Sequence, residues 1–191
     1  MTRKKKSAWR EWIESILIAL LLAMVIRTFI VQAFKIPSGS MRPTLLEGDL
    51  ILVNKFIYGA KIPFTDKRLP AFQELKRGEV IVFIYPEDPK KDFIKRLVGL
   101  PGDEVEIKKY TIYVNGQPLL DPVFNQRYYY NGGDFAAEGQ KITVPKGHYF
   151  VLGDNSASSK DSRYWGFVPQ ENILGRAFLI YWPLNRIRII K

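Results

Sequence analysis

Three segments of this chain carry side chains that can do chemistry together, although each has an ordinary reading alone. In Ile36-Pro37-Ser38-Gly39-Ser40-Met41-Arg42-Pro43-Thr44-Leu45, prolines stiffen the backbone and Gly39 permits close approach of another chain. Ser40 is the candidate nucleophile there, and the Ser38 hydroxyl can reach toward an oxyanion forming beside the Ser40 backbone N–H. The bland alternative is a polar turn. In Asp92-Phe93-Ile94-Lys95-Arg96-Leu97-Val98, a lysine sits inside an apolar strand. Lysine is a general base only when its amine is neutral, which requires an apolar site that lowers its pKa. The bland alternative puts Lys95 on the solvent face of an alternating strand. The third segment, Gly153–Gly166, is rich in serine, and Asp161 and Arg163 can pair to brace it. Alone it reads as a solvated polar loop.

Composition removes most other routes to catalysis. The 191 residues include no Cys and one His, so there is no thiol nucleophile, Cys-ligated metal or His-pair zinc motif. No metal site or cofactor is expected. The single histidine, His148, falls in an expected strand after a turn glycine, and reads as a strand or rim residue more readily than as a catalytic base. Nucleophile elbows, S-x-x-K, H-E-x-x-H and P-loop motifs are missing. A serine activated by a lysine is what is left.

The elements that must position these groups divide the chain unevenly. Net charge is +10, and Arg3, Lys4, Lys5, Lys6 and Arg10 stand directly before the uncharged run Ile16–Ile26. Basic chains suggest nucleic acid first, but no DNA- or RNA-binding pattern follows, and no nucleic-acid partner is expected. Extended from Trp12 to Thr28, the run reads as a membrane anchor, with Arg27 placed to snorkel and Trp9 and Trp12 at the aromatic belt. Residues 1–11 form a basic cytoplasmic segment, and residues 29–191 lie outside, at the cell membrane. The rival reading is a cleavable signal peptide ending at Val31-Gln32-Ala33. Arg27 and the bulky stretch Phe29–Val31 weigh against it.

After Ile36 the sequence reads as antiparallel β-structure. Leu50–Tyr58, Glu79–Tyr85, Phe93–Gly99, Glu104–Lys108, Thr111–Val114, Lys141–Val144, His148–Gly153 and Ile173–Trp182 are short runs rich in β-branched and aromatic residues. Turn signals at Pro101-Gly102-Asp103, Asn115-Gly116 and Pro145-Lys146-Gly147 separate them. Residues 104–148 form a hairpin and insertion region in which 120–140 reads as a loop. The expected fold is mainly β, an antiparallel catalytic domain on one N-terminal transmembrane helix.

Taken together, these segments resemble bacterial type I signal peptidase, a membrane-bound Ser-Lys protease. The matching stretches are PSGSMRPTL (Pro37–Leu45), GDL (Gly48–Leu50), RGEVIVF (Arg77–Phe83), YPEDP (Tyr85–Pro89), DFIKRLVGLPGD (Asp92–Asp103), YVNG (Tyr113–Gly116), YFVLGDN (Tyr149–Asn155) and DSRYWGFVP (Asp161–Pro169). The resemblance implies Ser40 as the acylated nucleophile, Lys95 as general base and Ser38 in the oxyanion hole. It implies that Ser159 hydrogen-bonds and orients the lysine amine. Asp161 and Arg163 would hold the site's geometry, with Met41 packed beside it. The implied partners are signal peptides of secreted preproteins, cut after small residues of the Ala-x-Ala type, and the lipid bilayer. One departure is Ser156-Ala157, where many members carry Arg-Asp. Self-cleaving repressors of the DNA-damage response share a Ser-Lys fold but carry a DNA-binding domain in place of the apolar run. A non-catalytic anchored β-module would have no need of Ser40, Lys95 and Ser159 together.

Overall fold

The computed structural model describes residues 8–191 apart from Pro63, Phe64 and Asp66. Helix α1 (Ala8–Val25) continues through a wider π-helical turn at Ile26–Ile30. The apolar stretch Trp9–Ile30 is thus one 22-residue helical run with its side chains exposed. At about 1.5 Å per residue it matches a hydrocarbon layer of roughly 30 Å. The helix therefore outruns the expected Trp12–Thr28 span at both ends. Of the basic cluster, Arg3–Lys6 lie outside the described residues.

The strands are β1 (Val31–Lys35), β2 (Leu50–Asn54), β3 (Val80–Ile84), β4 (Asp92–Gly99), β5 (Glu104–Lys108), β6 (Thr111–Val114), β7 (Gln117–Pro118), β8 (Lys141–Thr143), β9 (His148–Leu152), β10 (Val168–Pro169), β11 (Ile173–Trp182) and β12 (Arg188–Ile189). Two one-turn helices, α2 (Pro122–Asn125) and α3 (Ser162–Trp165), fall among them. A large sheet has the order β1-β2-β11-β3-β4-β9-β10, with β12 also on β11, and a small one the order β7-β6-β5-β8. Every pairing is antiparallel.

Burial follows the sequence pattern. Strand β2 buries alternate residues, as a strand with one covered face does. Strand β3, a continuous apolar run, is buried on both faces at the middle of the sheet. One apolar cluster joins Ile36, Met41 and Leu45 to β2, β3 and β11, and a second lies under the small sheet around Val105, Ile107, Ile112 and Val114.

Three expectations change. The strand expected over Leu50–Tyr58 stops at Asn54, whose side chain accepts a hydrogen bond from Ile57 N and starts a 3-10 turn over Phe56–Tyr58. Residues 31–35, which lie outside every expected strand, pair with β2 as a strand. The 120–140 segment contains α2, capped by the Asp121 side chain, and buries Phe124, Tyr129 and Ala136 beneath the small sheet.

Candidate active site

Ser40 sits in a single 3-10 turn, Gly39–Met41, separated from the end of β1 by Ile36, Pro37 and Ser38. Met41 is fully buried behind it, so the turn is pinned to the core by its third residue. Asn155 holds the turn from the other side, because its backbone N–H donates to Ser40 O at 3.0 Å and its side-chain Nδ2 to Gly39 O at 3.1 Å. The Ser40 N–H belongs to the first turn, where backbone donors lack helical partners. Ser38, at the turn's start, is extended and exposed.

Lys95 lies on β4 opposite Ile81 of β3. On the other side of β4, Arg96 faces Leu152 of β9, and one further step of that register brings Gly153 opposite Lys95. Lys95 is 4% exposed, and its Nζ lies 2.7 Å from Ser40 Oγ. The Phe93 ring is beside it, 5.5 Å from Nζ to the centroid. Among the described residues no carboxylate forms an ion pair with Lys95. Burial pushes its pKa down to about 8, against the opposing pull of the Asp161 and Asp154 charges. That pull is limited because each carboxylate is already bound to an arginine. Arg163 contacts Asp161 through Nε at 2.8 Å and Nη2 at 3.0 Å, and Arg96 contacts Asp154 through Nε and Nη2, both at 2.7 Å.

These two pairs build the loop that faces the lysine. Asp161 caps α3 and accepts from Gly153 N at 3.0 Å, while Arg163 donates to the carbonyls of Tyr130, Ser156 and Ser159. Asp154 also accepts from the Thr44 hydroxyl, which ties the loop to the segment after the nucleophile. The serine-rich loop is therefore not solvated, since Asp154, Ser156, Ser159, Asp161, Ser162 and Arg163 are all buried. Its Arg163 fork replaces backbone partners that a solvated loop would find in water.

The expected hydrogen bond from Ser159 to the lysine amine is not formed. Ser159 Oγ is buried without a hydrogen-bond partner among the described residues. It packs on Gly153, where an added Cβ would come within 2.1 Å of Ser159 Oγ and 2.6 Å of Ser40 O. His148 stands at the other end of β9 from Gly153, its Nδ1 2.9 Å from Lys146 O, and has no part in this arrangement.

Sequence reasoning missed Arg96, Thr44, Gly153, Asp154 and Asn155 as members of the site. The available signal for Arg96 was its neighbour, since a second basic residue in one apolar strand demands a buried acid somewhere. A serine hydroxyl against an unpaired, desolvated amine can be deprotonated as it attacks, which is the arrangement of an acyl-transfer nucleophile and its base.

Comparison with known proteins gives a consistent picture. A family model described as signal peptidase, peptidase S26, matches residues 9–182. A signal peptidase I from Pseudomonas fluorescens is 40% identical, over 91% of this chain and 73% of its own length. Signal peptidase I P from Bacillus subtilis subsp. natto is 36% identical, over 99% of this chain and 97% of its own. The crystal structure of a signal peptidase I from Enterococcus faecalis is 35% identical, over 55% of this chain and 97% of that one, at a TM-score of 0.44.

Proposed function

This chain belongs to the signal peptidase family, peptidase S26, and we propose that it cleaves signal peptides by a Ser40–Lys95 dyad, after small residues of the Ala-x-Ala type. As a signal peptidase I it is a serine peptidase of the secretory route. The observation that carries the dyad is the 2.7 Å contact between Ser40 Oγ and a buried amine with no carboxylate partner.

In the reaction, neutral Lys95 Nζ takes the Ser40 proton as Oγ attacks the scissile carbonyl carbon. The tetrahedral oxyanion lies toward the Ser40 N–H and the Ser38 hydroxyl. Collapse breaks the C–N bond, and the new amine leaves with the proton held by Lys95. Water then gives a proton to Lys95 as it attacks the acyl-serine, and Ser40 recovers that proton when the signal peptide departs with its new carboxylate. Ser159 Oγ, buried and unpaired beside Gly153, supplies the amine with an acceptor when the side chains adjust to substrate.

The segments that carry Ser38 and Lys95 also line a recess open to a substrate side chain. A cavity of about 210 Å³ lies between Phe34–Pro37, the start of β4, Ile51 and Val82. Two of its lining residues, Pro37 and Ile94, directly precede Ser38 and Lys95 in the chain. It also begins only four residues after the apolar helix ends, which suits a substrate whose apolar segment is still in the bilayer. The helix holds the chain in the membrane with its basic end cytoplasmic and residues 29–191 outside. Protease added to the outside of spheroplasts is expected to digest the β-domain and leave the N-terminal segment; a mature chain starting at Phe34 would contradict the anchor.

Ser40→Ala and Lys95→Ala are each expected to abolish cleavage of a preprotein, with His148→Ala near wild type. The rate should rise with pH through a limb near 8, because deprotonation creates the base. A rate flat from pH 6 to 10, or an active Lys95→Arg variant, would refute the neutral-lysine mechanism.

A further inference from the structure

A second cavity, of about 400 Å³, begins at Arg42 and Pro43, directly after the nucleophile turn, and shares no lining residue with the one at Phe34–Pro37. Its near wall is Asn155, the residue that holds Ser40 O and Gly39 O, together with Arg42. Its far wall is Tyr128 and Tyr130, which are 73% and 43% exposed. Both rings make edge contacts with Tyr110, at centroid distances of 6.2 and 5.4 Å.

This aromatic wall is built at some cost. The β5–β6 hairpin turns on Lys109 and Tyr110 with φ of 48° and 63°, a conformation that favours Asn and Gly. A bulky tyrosine held there carries backbone strain. The strained turn is used, because Tyr110 O accepts a hydrogen bond from Tyr129 N at 2.9 Å and so fixes the run of tyrosines beside the hairpin. Three exposed rings locked in one place, two of them lining the same cavity as the Asn155 that holds the serine turn, are an unusual expense for a solvent surface.

We infer that this groove binds the part of the preprotein that follows the cut, an extended polypeptide whose apolar or proline side chains lie on Tyr128 and Tyr130. The inference rests on the dyad reading and on simple geometry. The residues before the cut are tethered to the bilayer and must approach along β1, from the helix exit. The residues before the Ser40 turn line the cavity at Phe34–Pro37, and those after it, Arg42 and Pro43, line this second one with Asn155 and the tyrosines, so a chain that crosses Ser40 and continues meets them. Arg42 is already paired with Glu47, and Arg127 with Asp154. The groove therefore offers rings and polar edges to a neutral strand more than a free charge to an acidic one. Tyrosine gives large contact area at low conformational cost.

The test uses the full-length enzyme in detergent and two peptides with the same residues up to Ala-x-Ala. One has a single residue after the cut, and the other has six, including proline and leucine. The longer peptide is expected to show kcat/KM about tenfold higher, worth about 1.4 kcal/mol of added contact. In Tyr128→Ala/Tyr130→Ala that ratio should fall toward one, and in Tyr128→Phe/Tyr130→Phe it should persist, since the rings do the work. The six-residue product alone should inhibit the wild type competitively, a readout independent of whether the variants fold. Equal turnover of both peptides by the wild type, or no inhibition by the product, overturns the groove and leaves the dyad standing. If the wild type cuts neither peptide, the dyad reading fails and the groove with it.

Discussion

Beneath the small sheet, Val105, Ile107, Ile112 and Val114 bury hydrocarbon against hydrocarbon, whereas the loop after β9 and the middle of β4 bury Lys95, Arg96, Asp154, Asp161 and Arg163. The first region is held by apolar burial, which is non-directional and tolerant of repacking. The second is held by forked arginine–carboxylate pairs, whose geometry is specific and whose loss exposes a bare charge to a dry interior. The contrast is sharpest between neighbours. Arg96 and Lys95 are adjacent on one strand and equally inaccessible, yet Arg96 has Asp154 and Lys95 has no carboxylate of its own. Pairing makes the arginine structural, and the want of a carboxylate partner suits the lysine to the base role proposed for it.

The hardest test of that contrast breaks a fork. Asp154→Asn leaves the Arg96 charge uncompensated and loosens the link to Thr44. We expect a loss of about 3–5 kcal/mol in denaturant unfolding, together with a large fall in kcat. Ile107→Ala should cost about 2–4 kcal/mol through the cavity it leaves, while the folded enzyme keeps a kcat near wild type. A kcat in Ile107→Ala as low as in Asp154→Asn would show that the two regions are not separable.

The gentlest test removes the unpaired charge. In the unfolded chain Lys95 holds its proton up to about the ordinary lysine value of 10.5, and in the folded protein only up to about 8. Between those values the unfolded state binds more protons, so stability rises with pH across that window. Below pH 8 the folded protein carries the full cost of a buried ammonium. Lys95→Met, close in volume and uncharged, should be inactive and should raise Tm by a few degrees at pH 7. The gain should shrink as pH approaches 10.5. A Tm gain unchanged between pH 7 and 10 would mean that the ammonium is not the source of the cost.

Much of this architecture was legible because it depends on local pattern. The expected strands over 104–108, 111–114 and 173–182 coincide with β5, β6 and β11, since alternating β-branched residues between turn signals have few other stable outcomes. Strand β1 was hidden because Phe29–Ile36 has no alternation of its own and becomes a strand only when β2 supplies its partner. The Ser159 loop looked solvated because nothing in a run of Ser, Asp and Lys says that Arg163 will donate to three of its neighbours' carbonyls.

By itself the sequence determined the apolar helical run, the strand content, and the segments holding Ser40 and Lys95. These follow from side-chain period and from the chemistry available to a chain with no cysteine and one histidine. Only the tertiary structure decided that Lys95 is buried, that Arg96 meets an aspartate 58 residues away, and that Asn155 clamps the serine turn. A residue's burial and its long-range partner depend on sheet register and on what covers the sheet, and neither is a property of the few residues on either side.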